Sequence, residues 1–232
     1  MTSTETATHA RRAAVATCVV FAANGLLYAS WATRIPDVRD RLAVGPAVLG
    51  LALLALAAGS LVSMPLTGWA CRTWGSRAIT LLCALVASPV LIGAAFVPNA
   101  LGLGLVLFAM GLFWGAWDVS MNIQGHHVEQ TLGRALMPRF HAMWSLGSIA
   151  GAAIGSGLAA VRMPVWLHFV LAAALAMSLG VWSTARFLPD RTGFVEEHHL
   201  PAWKVLDLRL VLIGVLVLCS TVGEGAAADW LA

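Results

Sequence analysis

An acid, Asp118, and two amides, Asn122 and Gln124, stand in the stretch AWDVSMNIQG, at the end of an apolar run that begins near Leu101. A carboxylate inside such a run is costly, so it marks a place where protons, ions or a polar solute are handled. Gly111, Gly115, Asp118, Asn122 and Gly125 recur at helical steps of four and three and share one face. Glycines on such a face let another helix come close, while the polar groups require partners or water. Helix-to-helix adhesion would account for the stripe, and so would the wall of a cavity. A lone acid is a poor adhesive where Ser or Asn would serve, which favours the wall, and a carboxylate there could load and release a proton.

A second group of residues lies just downstream. In PRFHAMWSLGSIAGAAIGSG, Gly147, Gly151 and Gly155 form a double GxxxG ridge suited to close helix packing, and His141, Ser145, Ser148 and Ala152 line up on a neighbouring face. A short loop joins this run to the preceding one, so His141 is expected at nearly the depth of Asp118. A histidine capped at the interface by loop groups is the plainer alternative. Asn24 and Tyr28, in NGLLYASW, lie one helical turn apart and could face a cavity, and EGAAADW places Glu224 and Asp229 in the last apolar run. The neighbouring pairs His126/His127 and His198/His199 read as solvated loop residues. With Cys18, Cys71, Cys83 and Cys219 lacking metal-type spacing, neither a metal nor another cofactor is expected.

These residues need spans to position them, and the composition supplies them. Of 232 residues, 59% are hydrophobic and only 11% charged, with a mean hydropathy of +0.83, far from the roughly 25% charged residues of soluble domains. The net charge of +3 is too small and scattered for a nucleic-acid surface. A span needs about 20 apolar residues. Seven runs qualify: 13–33, 47–70, 78–97, 100–125, 140–161, 164–186 and 209–231. An all-α integral membrane protein follows, with a tail at 1–12, a six-span bundle at 13–186, a polar central loop at 187–208 and a seventh span at 209–232. Arg11, Arg12, Arg72, Arg77, Arg134, Arg139, Arg186, Arg191, Lys204 and Arg209 fall on one side; Arg34, Arg39, Arg41 and Arg162 fall on the other. That excess places the N-terminus in the cytoplasm.

The residues in the loop GWACRTWGSR, together with the stretches above, resemble the major facilitator superfamily of secondary transporters. The loop keeps Gly68, Gly75 and Arg77 of the pattern GxxxDRxGRR, while Arg72 stands where that pattern has Asp and Thr73 where it has Arg. The gating contact of that Asp therefore does not carry over. AWDVSMN is similar to the LExxxN pattern of the fucose-permease-like sugar:proton symporters, in which the acid couples protons. FHAMWSLG is similar to the stretch where a polar residue contacts the sugar. WATRIPDVRDRL, MNIQG, FHAMWSLG and EGAAADW together look like a bacterial branch near those permeases. No acid stands in the first span, so a two-carboxylate scheme is not implied.

The resemblance implies two six-helix bundles, each built from three-helix inverted repeats and rocking about a midplane site. The chain would hold the N-terminal bundle and helix seven, with the C-terminal bundle largely missing and supplied by the remainder of a longer protein or by another copy. It further implies a multi-pass protein of the bacterial inner membrane that moves a small, sugar-like solute with protons. Asp118 would carry the proton, and His141, Asn122, Asn24 and Tyr28 would contact solute. Gly68, Arg72, Gly75 and Arg77 would form the gating loop.

Two alternatives remain at this point: an efflux transporter using Trp114, Trp117 and Trp144 as an aromatic pocket, and a truncated product that transports nothing. A retinal protein would need a Schiff-base lysine within a span, which Lys204 does not provide. An intramembrane hydrolase built on His141 and Ser145 lacks an oxyanion-hole signature, so an enzyme is not expected.

Overall fold

The computed structural model describes residues 3–189 and 208–230, all of the regular structure among them helical. The chain divides into two units, Met1–Asp190 and Arg191–Ala232. The first contains α1 (Ser3–Ala32), α2 (Ile35–Leu42), α3 (Pro46–Trp74), α4 (Ser76–Gly93), α5 (Ala100–Leu132), α6 (Met137–Ala160) and α7 (Val165–Thr184). The second contains α8 (Leu208–Trp230), an apolar helix of 23 residues in the position of the expected seventh span. His198, His199 and most of the expected central loop lie outside the described residues.

Six segments in the first unit are long and apolar enough to cross a membrane: Thr8–Leu42, which takes in α1 and α2, and each of α3 to α7. Their ends have local causes. Gly75, at φ +86°, is the single residue between α3 and α4, in a backbone region that favours glycine. The Asn99 side chain caps α5 by accepting the Gly102 N–H at 2.9 Å. Gly133, at φ +63°, ends α5 in the left-handed conformation.

The largest departures from the expected spans are three. α1 begins at Ser3 and not near residue 13, so residues 3–12 of the expected tail are helical. α5 continues to Leu132, about two turns beyond the expected end at residue 125. The polar residues HHVEQTL leave the apolar run but not the helix, because Glu129 receives the backbone N–H groups of Leu136 and Met137 and ties the extension to the start of α6. RIPDVRDRL forms the short helix α2, with Pro36 in its first turn and Ile35 and Val38 buried beneath it.

The helices pack chiefly as α1 with α6 and α7, α5 with α3 and α4, and α4 with α7. The α1–α6 and α3–α5 crossings match residue for residue. A Cβ at Gly25 would stand 2.2 Å from the Trp144 carbonyl oxygen, and one at Gly147 would stand 2.1 Å from that of Ala22. In the second crossing a Cβ at Gly111 would stand 2.0 Å from the Leu56 oxygen, and one at Gly59 would stand 2.2 Å from that of Phe108. Ser148 Oγ donates to the Gly25 oxygen at 3.3 Å, as Ser60 Oγ donates to the Gly111 oxygen at 3.1 Å. Thus α1, α3 and α4 repeat as α5, α6 and α7. An odd number of spans per repeat reverses the second copy with respect to the membrane. The repeat is also visible in the chain, since GLLYASW from Gly25 and GLFWGAW from Gly111 share Gly, Leu, an aromatic and Trp at equal spacing.

The repeat extends to polar pairs. Arg34 Nε, in the turn between α1 and α2, donates to His168 Nδ1 of α7 at 3.1 Å, and Thr80 Oγ1 donates to Ser120 Oγ at 2.9 Å at the matching position between α4 and α5. Arg34 is 1% exposed and further held by Asp37 and the Met163 carbonyl. Leucines such as Leu51, Leu54, Leu61 and Leu66 remain exposed on α3, as suits a surface solvated by lipid tails of the same polarity.

Candidate functional site

Asp118 stands near the middle of α5, half-buried, with no ion pair to any described residue. Asn122, one turn on, donates its Nδ2–H to the Asp118 carbonyl oxygen at 2.9 Å and reaches Asp118 Oδ1 at 3.3 Å. The amide therefore braces the carboxylate from its own helix without adding a charge. His141, at the start of the second turn of α6, is exposed and lies within electrostatic reach of Asp118, although the two are not hydrogen-bonded. Its ring meets Phe21 of α1 edge-on, with centroids 5.3 Å apart.

Trp144, one turn further along α6, donates Nε1–H to Asn24 Oδ1 at 2.9 Å. Asn24 is only 2% exposed and its Nδ2 has no partner among the described residues. It is thus a buried brace between α1 and α6 rather than an open wall residue. Tyr28 stacks between helices, with its ring 5.4 Å from Trp114 of α5 and 5.8 Å from Trp144 of α6. Asp118 and Asn122 on α5, His141 and Trp144 on α6, and Asn24 and Tyr28 on α1 are consequently contributed by three mutually packed elements. The arrangement offers an acid able to exchange a proton, an amide and an imidazole able to bond hydroxyls, and a small aromatic surface.

Other residues singled out in the sequence point elsewhere. Gly111 and Gly115 seat α5 on α3, and Gly125 packs on Met137 and Phe140 of α6, so the stripe serves packing at its ends and leaves the acid between them. Gly147 and Gly151 press on α1 at Ala22 and Leu26, and Gly155 on Thr33 and His168. Gln124 is fully buried toward α4, where its Oε1 accepts the Ser76 hydroxyl at 3.3 Å. Trp117 is also fully buried, packed beside Gly180 of α7, and so does not join Trp114 and Trp144 in one aromatic pocket. Ser145 Oγ donates to the backbone oxygen of His141, not to its imidazole, which is the wrong geometry for a nucleophile and its base.

The segment GWACRTWGSR, expected as a loop, is helical apart from Gly75: Gly68, which faces open space, and Arg72 belong to α3, and Arg77 belongs to α4. No group of three or more metal-ligating side chains occurs among the described residues. The buried Arg34–His168 pair is not among the residues that the sequence singles out. Its only trace there is an arginine at the end of the first span, because its partner lies in a distant segment.

No protein-family model matches the chain. It is 34% identical over 217 residues to the uncharacterized transporter y4wD of Sinorhizobium fredii, covering 91% of this chain and 56% of that protein. It is 32% identical over 223 residues to an uncharacterized MFS-type transporter of Yersinia pestis, covering 94% and 56% respectively. It is also 32% identical over 215 residues to the membrane protein MosC of Rhizobium meliloti, covering 90% and 51%. The chain therefore spans about half the length of the curated relatives it matches. Among solved structures, the nucleoside transporter NupG superposes with a TM-score of 0.69 at 17% identity, over 83% of this chain and 48% of that one. Paired helices in two inverted triplets, relatives named as transporters and this superposition together establish the fold as that of a major facilitator six-helix bundle.

Proposed function

We propose that the chain forms half of a proton-coupled secondary transporter for a small, polar, sugar-like solute, working by alternating access. The observation that carries this reading is Asp118: a carboxylate in mid-helix, braced by Asn122 and in no ion pair with a described residue, can change protonation without breaking one. His141 tunes that acid and contacts solute together with Asn122, while Tyr28 and Trp144 supply a ring surface against which a sugar or a nucleobase could lie. The superposed NupG is named as a transporter of nucleosides, which combine both features. In this reading the N-terminus is cytoplasmic, the protein sits in a bacterial inner membrane, and the α3–α4 corner of Gly68, Arg72, Gly75 and Arg77 takes part in gating. A second bundle completes the cavity.

The test is uptake by cells making the protein, with radiolabelled monosaccharides and nucleosides offered under an imposed inward proton gradient. Accumulation that collapses with a protonophore supports the reading. Extrusion of a lipophilic dye without uptake of any polar solute would support efflux instead.

A further inference from the structure

Where α5 turns into α6, a cavity of about 240 Å³ opens between α1 and the start of α6. Arg11, Arg134 and Arg139 line it, and Val15, Cys18 and Phe140 form apolar parts of its wall. None of the three arginines forms an ion pair with a described carboxylate, and no acid among the described residues lines the cavity. Glu129, the acid that approaches this corner from α5, is already occupied by the backbone N–H groups of Leu136 and Met137. Those bonds, with the left-handed Gly133 turn, also fix the short loop that presents Arg134.

Three arginines with no described counter-charge around one cavity call for an anion, and their planar guanidinium forks match phosphate oxygens in pairs. The setting indicates which phosphate. Arg11, Val15 and Cys18 follow one face of a helix apolar enough to span the membrane, and Val15 is 57% exposed on it. A soluble anion has no use for that apolar track, whereas a lipid can lay an acyl chain along it. We propose that this cavity binds the phosphate headgroup of an anionic bilayer lipid. Arg11, Arg134 and Arg139 hold the phosphate, and the chain runs past Val15.

The test is native mass spectrometry of the full chain released from nanodiscs of phosphatidylethanolamine containing a minor fraction of cardiolipin or phosphatidylglycerol. The wild type should retain the anionic lipid in preference to phosphatidylethanolamine. R11Q, R134Q and R139Q should each reduce that retention about fivefold. R12Q, which removes the same charge from a residue outside the cavity, should retain the lipid like the wild type. Equal retention by wild type and the single variants, or a loss in R12Q as large as in R11Q, would overturn the proposal. Displacement of bound lipid by millimolar inorganic phosphate, which then binds in discs of phosphatidylethanolamine alone, would assign the cavity to a soluble anion and overturn the lipid.

Discussion

The indole N–H of Trp144 and the Oδ1 of Asn24 meet at 2.9 Å, joining α6 to α1 beside the tight Gly25–Gly147 crossing. This bond places the aromatic group of the candidate site, since Tyr28 leans on the same indole. Replacing Trp144 by Phe keeps the ring and removes the donor. W144F should lower stability by about 0.5–1.5 kcal/mol, and the N24L/W144F double variant should lose less than the sum of the two single ones. Thermal unfolding in detergent measures both, and strict additivity would show that the bond contributes nothing.

The matched crossings make a paired prediction. A methyl at Gly147 or at Gly59 meets a backbone oxygen that cannot move aside, so G147A and G59A should each cost about 1–3 kcal/mol. Gly68 has open space where its Cβ would go, and G68A should gain about 0.5–1 kcal/mol from helix propensity alone. Folded yield on size-exclusion chromatography should rank G68A at or above wild type, with the other two below it.

The Arg34–His168 pair differs from its repeat mate, Thr80–Ser120, in placing a buried cation against an imidazole. Because Nδ1 accepts from Arg34, His168 is neutral with its proton on Nε2. Removing the acceptor leaves the cation less well paired. H168L should therefore cost about 1.5–3 kcal/mol, while R34M/H168L, which removes the charge as well, should recover part of that loss. A double variant less stable than H168L would mean that the arginine is held by Asp37 and Met163 alone.

The spans were legible because hydropathy reports which residues can sit in lipid. It does not report where a helix stops, and α5 outruns its apolar stretch because the helix-compatible HHVEQTL is pinned by Glu129. Ile35–Leu42 was obscured by its own charges: three arginines and two aspartates lie within RIPDVRDRL, and within the helix itself only Ile35 and Val38 are buried. Asp118 and Asn122 were legible because one turn separates them on one helix. The bond from Trp144 to Asn24 and the bond from Arg34 to His168 were not, since each joins segments more than 100 residues apart. The repeat of GLLYASW in GLFWGAW was present in the chain and is what relates the two glycine crossings.

The central claim is that Asp118 carries the coupling proton. The most direct measurement compares two modes of transport by the protein as its host makes it, reconstituted in vesicles, in wild type and D118N. One mode is accumulation driven by a proton gradient; the other is exchange of labelled for unlabelled solute with no gradient. Asn keeps the size of the side chain and one acceptor oxygen but cannot exchange the proton. The account predicts that D118N abolishes gradient-driven accumulation and retains exchange. Undiminished, pH-dependent accumulation by D118N would contradict it.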